Sequence, residues 1–89
     1  MVRQIQVDPA KDASNQRKHG ISLWRFVDMN FDRALVVPAQ AKGDEQRWMF
    51  LGEIDGRIYS AVVTYRDEDT RVISLRPASR AERGLYVKG

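Results

Sequence analysis

Cysteine is absent from the 89 residues. Disulfides, thiol nucleophiles and thiolate metal sites are thereby excluded together. A single histidine, His19, excludes a multi-histidine zinc site. No stretch approaches the run of about 18 apolar residues that a membrane span needs. The opening Met1-Val2-Arg3-Gln4-Ile5 has no apolar segment of the kind a secretory signal requires. A cytoplasmic protein without a membrane partner is the expectation. Neither GxGxxG nor GxxxxGK(S/T) occurs, so dinucleotide and P-loop chemistry are not expected. Inward-facing carboxylates for a metal pair are also lacking: Asp67, Glu68 and Asp69 read as a solvated turn, and Asp8 and Asp12 as a helix cap and a first-turn acid. No metal or cofactor is expected.

What is present is a basic chain of globular composition, with a net charge of +3. The length predicts one domain over residues 1–89, with room for one small core and one site. The charge is unevenly laid out. Up to Gly20, Arg3, Lys11, Arg17 and Lys18 outweigh Asp8 and Asp12. From Arg71 onward, Arg71, Arg76, Arg80, Arg83 and Lys88 face Glu82 alone. Between them the acids are in excess. If the two basic ends meet, they form a face that attracts phosphate-rich partners.

Residues 2–7 alternate weakly and predict a short edge strand. Asp8-Pro9 reads as N-cap and N1 of a helix running to about His19, with Gly20 as its left-handed C-terminal residue. That helix is polar, and tertiary contacts must hold it. Ser22 caps a second helix in which Leu23, Phe26, Val27 and Phe31 follow helical spacing, with Trp24 nearby. Leu35-Val36-Val37 predicts a strand, Pro38 an edge position, and residues 39–46 a polar, irregular, mobile loop. Asp55-Gly56 joins two apolar runs as a hairpin, and Asp67-Glu68-Asp69 leads into a third strand from Thr70 to Arg76, which Pro77 stops. Ser79-Arg80-Ala81-Glu82 is a capping-box pattern that opens a terminal helix. The order predicts an α+β fold: N-terminal helices, a curled antiparallel sheet built as a three-strand meander, and a C-terminal helix.

The arginines carry the chemical interest. Arg66 ends one strand, Arg71 and Arg76 flank the next, and Arg80 and Arg83 lie on the final helix. Guanidinium groups bind phosphate oxygens in pairs and remain charged at every accessible pH. Their alternative is pairing with Asp67, Glu68, Asp69 and Glu82. His19 either complements a helix dipole or acts as an acid or base. Lys11, Asn15 and Lys18 share a helix face that either tracks phosphates or is solvated. Glu53, Tyr65 and Tyr86 are further proton-transfer candidates.

Asp8-Pro9-Ala10-Lys11, Asn15 and Lys18-His19-Gly20-Ile21-Ser22 resemble the opening of the BrnT family of bacterial toxins. Arg47 with Leu51-Gly52, Asp55-Gly56-Arg57, Arg66, then the run from Arg71 to Ala78, and Glu82-Arg83 with Tyr86 continue the resemblance in order. Where the family often has acidic residues after Ser22, this chain has Leu23-Trp24-Arg25-Phe26. The resemblance implies a RelE-like ribonuclease fold and a type II toxin. It implies metal-independent RNA cleavage that inhibits translation, and a cognate BrnA-like antitoxin with a ribbon-helix-helix DNA-binding part. Operator DNA is then reached only through the antitoxin, in a heterotetramer. The site it implies comprises His19, Glu53, Arg66, Arg76, Arg80 and Tyr86 for catalysis, with Lys11, Lys18, Arg71 and Arg83 binding RNA. In that scheme Glu53 or His19 takes the 2′-hydroxyl proton, Arg66 and Arg76 stabilise the phosphorane, and His19 or Tyr86 assists the leaving oxygen. The rival reading is a non-catalytic basic module that binds nucleic acid or protein.

Overall fold

The computed structural model describes residues 4–89. Strand β1 (Gln4–Gln6) precedes helix α1 (Pro9–His19) and a 3₁₀ helix (Leu23–Asp28). Strands β2 (Leu35–Lys42), β3 (Glu45–Ile54), β4 (Arg57–Arg66) and β5 (Asp69–Pro77) follow, and helix α2 (Arg80–Lys88) ends the chain. The sheet order is β1-β5-β4-β3-β2. β2 to β5 form an antiparallel meander of four strands, and β1 pairs parallel with β5 from Gln4↔Asp69 to Gln6↔Arg71. The α+β expectation therefore holds with a mixed rather than an antiparallel sheet. The edge strand expected over 2–7 is observed at Gln4–Gln6, and the expectation at Val2 and Arg3 lies outside the described residues.

The local signals act as their chemistry dictates. The Asp8 side chain accepts from Ala10 N at 2.9 Å, and Gly20 ends α1 at φ +72°. The Asp55-Gly56 turn has positive φ at both residues, +52° and +80°, which fixes the hairpin register at Ile54↔Arg57. Ser79 and Glu82 complete the capping box at the start of α2.

Two expectations are corrected. Residues 39–46 are not an irregular loop: β2 runs to Lys42, and a Gly43-Asp44 turn leads straight into β3. β2 is an edge strand, so its residues face solvent widely and their polarity mimics that of a loop. The second helix is 3₁₀ rather than α. At three residues per turn Leu23, Phe26 and Met29 fall on one line, and all three are buried. Val27, inward at a 3.6-residue period, is instead 54% exposed. Asp12 sets this geometry from outside, accepting from Leu23 N at 2.7 Å and from the Ser22 hydroxyl at 2.9 Å.

Those three side chains pack on one face of the sheet with Ile54, Ala61, Val63, Val72 and Leu75. Met29 crosses β3 at Gly52, where an added Cβ would come within 2.7 Å of its Cγ and Sδ. Phe26, Phe31 and Phe50 meet edge to face, at centroid distances of 5.1 to 6.2 Å. Trp48 packs against this core, whereas Trp24 is exposed.

Candidate functional site: a cationic groove on the second sheet face

The register places the second face's side chains in rows. Arg47 pairs with Thr64, and Thr64 with Arg71. One step nearer the strand ends, Lys42 pairs with Glu45 and Arg66 with Asp69. Because alternate residues share a face, Glu45, Arg47, Arg66 and Arg71 project together. α2 packs near β3 at the opposite end of this face, with Gly89 against Leu35. The end holding the arginines forms an open groove of about 370 Å³ lined by Lys11, Lys42, Glu45, Arg47, Arg66, Arg71 and Ile73.

Five cations and one carboxylate line this groove. Glu45 accepts from Arg66 Nη2 at 2.8 Å and lies 3.5 Å from Arg47 Nε. The Arg66 hydrogen bond, assisted by Arg47, holds the Glu45 carboxyl below the usual range, so it is ionised at neutral pH. The Nε of Arg71 is shielded from solvent without a hydrogen-bond partner, whereas that of Arg47, equally shielded, is held by its long ion pair with Glu45. An orphaned buried donor is costly, and an entering oxyanion is the natural group to relieve it. Lys11 arrives over the β5 edge from α1. Asn15, one turn further on, fixes that approach: its amide donates to Leu75 O at 2.7 Å and to Ile21 O at 2.9 Å, and accepts from Leu75 N at 3.2 Å. Asn15 is thus a buried clamp on the β5 backbone and not part of a solvated or phosphate-tracking face.

Of the residues singled out in the sequence, the groove gathers Arg66, Arg71 and Lys11. The others lie elsewhere. His19 and Lys18 are exposed on the last turn of α1, about 12 Å of helix rise beyond Lys11 in the case of His19. Glu53 sits on β3 beside the Asp55-Gly56 turn, at the far end of the strands from the groove. Tyr86 lines a different hollow with Asp32, Arg33, Ala34, Val87 and Gly89, its hydroxyl buried and unpartnered. Arg80 and Arg83 are exposed on α2, and Arg83 donates to Ala78 O at 3.0 Å. Tyr65 is exposed near the end of β4.

Arg76 is engaged within the protein. Its guanidinium forks onto Glu82, with Nη1 at 2.7 Å and Nη2 at 2.9 Å, and ties α2 to β5. This pair is the internal alternative weighed for the arginines; for Arg66 the partner is Glu45 rather than an acid of the following turn. The same Glu82 accepts from Ser79 N, and the Arg76 hydrogen bonds chiefly hold its pKa at about 2. Arg76→Ala is therefore expected to destabilise the fold by about 1–2 kcal/mol, a charged hydrogen-bond pair discounted for partial exposure. Glu82 has a folded pKa depressed below its ordinary 4.5, so its contribution is present above that value and is lost as pH falls toward about 2. Urea midpoints of wild type and Arg76→Ala should differ at pH 7 and converge between pH 4.5 and 2. A constant gap would refute the assignment to the Glu82 pair.

Sequence reasoning passed over Lys42, Glu45 and Arg47 as site residues. The signal was available: the two-residue turn fixing Ile54↔Arg57 also sets Arg47↔Thr64 when counted back along both strands. Among the described residues, no three of His, Asp or Glu converge as a metal site, and no helix is long and apolar enough to cross a membrane.

Convergent guanidinium groups of this kind can take the oxygens of an anionic backbone. The family model described as the ribonuclease toxin BrnT of a type II toxin–antitoxin system matches residues 8–82. The chain belongs to the BrnT family of type II ribonuclease toxins. No curated protein matches it.

Proposed function

We propose that the groove is the ribonuclease centre, and that it cleaves RNA by internal transesterification without a metal ion. The observation that carries this reading is the cluster of five cations around one ionised carboxylate, in a chain whose family is a ribonuclease toxin. RNA supplies its own nucleophile. The 2′-oxygen bonds to phosphorus, the P–O5′ bond breaks, and the 2′-hydroxyl proton passes to Glu45. Arg47, Arg66 and Arg71 stabilise the additional charge of the pentacoordinate phosphate. The departing 5′-oxygen takes a proton from water or from Lys11. Glu45 replaces Glu53 and His19 as the base in this scheme because it shares the groove with the arginines.

Translation arrest and neutralisation by a BrnA-like antitoxin complete the proposal. A type II toxin implies an antitoxin partner. Acidic segments of that partner would lie across the groove, and exposed Trp24, 51% accessible, offers an apolar anchor. A ribbon-helix-helix antitoxin, paired through its own strands, would give a heterotetramer. The decisive experiment is incubation of antitoxin-free protein with RNA in EDTA. Cleavage is expected to persist and to leave 2′,3′-cyclic phosphate or 3′-phosphate ends. Loss of cleavage in EDTA, restored by Mg²⁺, would overturn the mechanism.

A further inference from the structure

A second hollow of about 370 Å³ adjoins the cationic groove, lined by Ala39, Gln40, Ala41, Lys42, Arg47 and Val62. Lys42 and Arg47 line both hollows and form the wall between them. The two differ in chemistry: beyond that wall the second hollow contains only small apolar side chains and one neutral amide. Its shape comes from a break in the β2–β3 ladder. Ala39 pairs with Arg47 and Lys42 with Glu45, so Gln40 and Ala41 stand opposite the single residue Gln46. Such a bulge turns backbone and side chain out of the regular pleat, and bulges concentrate beside functional sites. It is held in place: Gln46 Nε2 donates to Arg47 O at 2.7 Å, and Thr64 Oγ1 donates to Gln46 O at 2.8 Å.

A nucleotide has this same division, an anionic phosphate beside a flat uncharged base. We propose that the second hollow is a nucleobase subsite for single-stranded RNA, with Ala39, Ala41 and Val62 as its floor and the Gln40 side chain reading the base edge. The proposal rests on the groove being the RNA site. The phosphate lies on the Arg47–Arg71 row while its own base turns over Lys42 onto the alanine shelf. A side-chain amide both donates and accepts, as base edges do. Duplex RNA keeps its bases stacked inside and cannot fill such a shelf. Gln40 then sets sequence preference, and the arginines set backbone affinity.

The test uses the full chain and fluorescein-labelled tetraribonucleotides made uncleavable by 2′-O-methylation: A₄, C₄, G₄, U₄ and an abasic tetramer of equal charge. Anisotropy titrations at low salt are expected to show all five bound and weakened by added salt. At least one base-bearing tetramer should bind 10-fold or more tighter than the abasic one. Gln40→Ala should compress the spread among the four bases 5-fold or more. Val62→Trp should fill the shelf and bring the tightest tetramer down to the abasic level. Should Val62→Trp fail to fold, Gln40→Ala decides, since Gln40 is exposed on an edge strand. Equal affinity for abasic and base-bearing tetramers overturns the subsite but leaves the groove reading standing. Absence of salt-dependent binding to any tetramer overturns both. Equal affinity for a short duplex overturns the single-strand assignment, and an unchanged base ranking in Gln40→Ala overturns the role of Gln40.

Discussion

Arg71→Ala is expected to keep its fold and lose about 100- to 1,000-fold in RNA cleavage, the range seen when one preorganised transition-state donor is removed, about 2.7–4 kcal/mol. Among the described residues no carboxylate pairs with Arg71, and its Nε is buried without an acceptor. Truncation therefore leaves no carboxylate among the described residues without its partner. On the proposed mechanism, what is lost is a contact to phosphate. The comparison with Arg76, which is forked onto Glu82, separates the two roles an arginine can play on one strand. Cleavage of a labelled oligoribonucleotide under single-turnover conditions, with thermal unfolding measured in parallel, checks the prediction. Arg71→Lys should recover part of the rate, since it restores charge but not the planar fork. A folded Arg71→Ala variant that cuts at the wild-type rate would remove the groove from the mechanism.

The largest stability effect is expected at Asn15. Replacing it with alanine removes three hydrogen bonds and leaves Leu75 N and O and Ile21 O without that partner. The cost is about 2–4 kcal/mol, on the basis of 1–3 kcal/mol for each buried group left unsatisfied and partial relaxation of the rest. For a domain of this size that corresponds to a fall in Tm of roughly 10–25 °C. Lys18→Ala, exposed one turn along the same helix, should move Tm little, within about 0.5 kcal/mol. Calorimetry on the two variants distinguishes a structural clamp from a surface contact. A Tm for Asn15→Ala within 3 °C or so of wild type would show that the β5 edge does not depend on this amide.

The link between these two residues is β5 itself. Among the described residues β1 covers the outer edge of β5 from Asp69 to Arg71, and the Asn15 amide covers it at Leu75 in place of a further strand. The clamp holds α1 along that edge, and α1 carries Lys11 into the groove. Loss of Asn15 is therefore a route by which a residue outside the groove alters its lining.

Much of the architecture is written in short-range chemistry. Asp8-Pro9 and Gly20 bound α1, Asp55-Gly56 turns β3 into β4, and Ser79 with Glu82 starts α2, because each device needs only groups within a few residues of one another. The register of β3 on β4 follows from the turn as well, and with it the Arg47–Thr64 pairing and the closeness of Glu45 to Arg66. Composition alone, through the absence of cysteine, excludes disulfides and thiol chemistry. Other features depended on contacts across long sequence separations. A period of three rather than 3.6 at Leu23–Asp28 is imposed by Asp12 and by packing of Met29 on Gly52. The parallel addition of β1 joins residues 65 positions apart, and Asn15 reaches 60 positions to Leu75. Which arginine is spent on structure and which is left open was likewise a tertiary matter. Arg71 and Arg76 are both arginines near the ends of one strand, alike in sequence. Only the docking of α2 over one end of the sheet gives Arg76 its carboxylate and leaves Arg71 facing an uncovered groove, because a charge takes its role from whatever opposite charge the fold brings within reach.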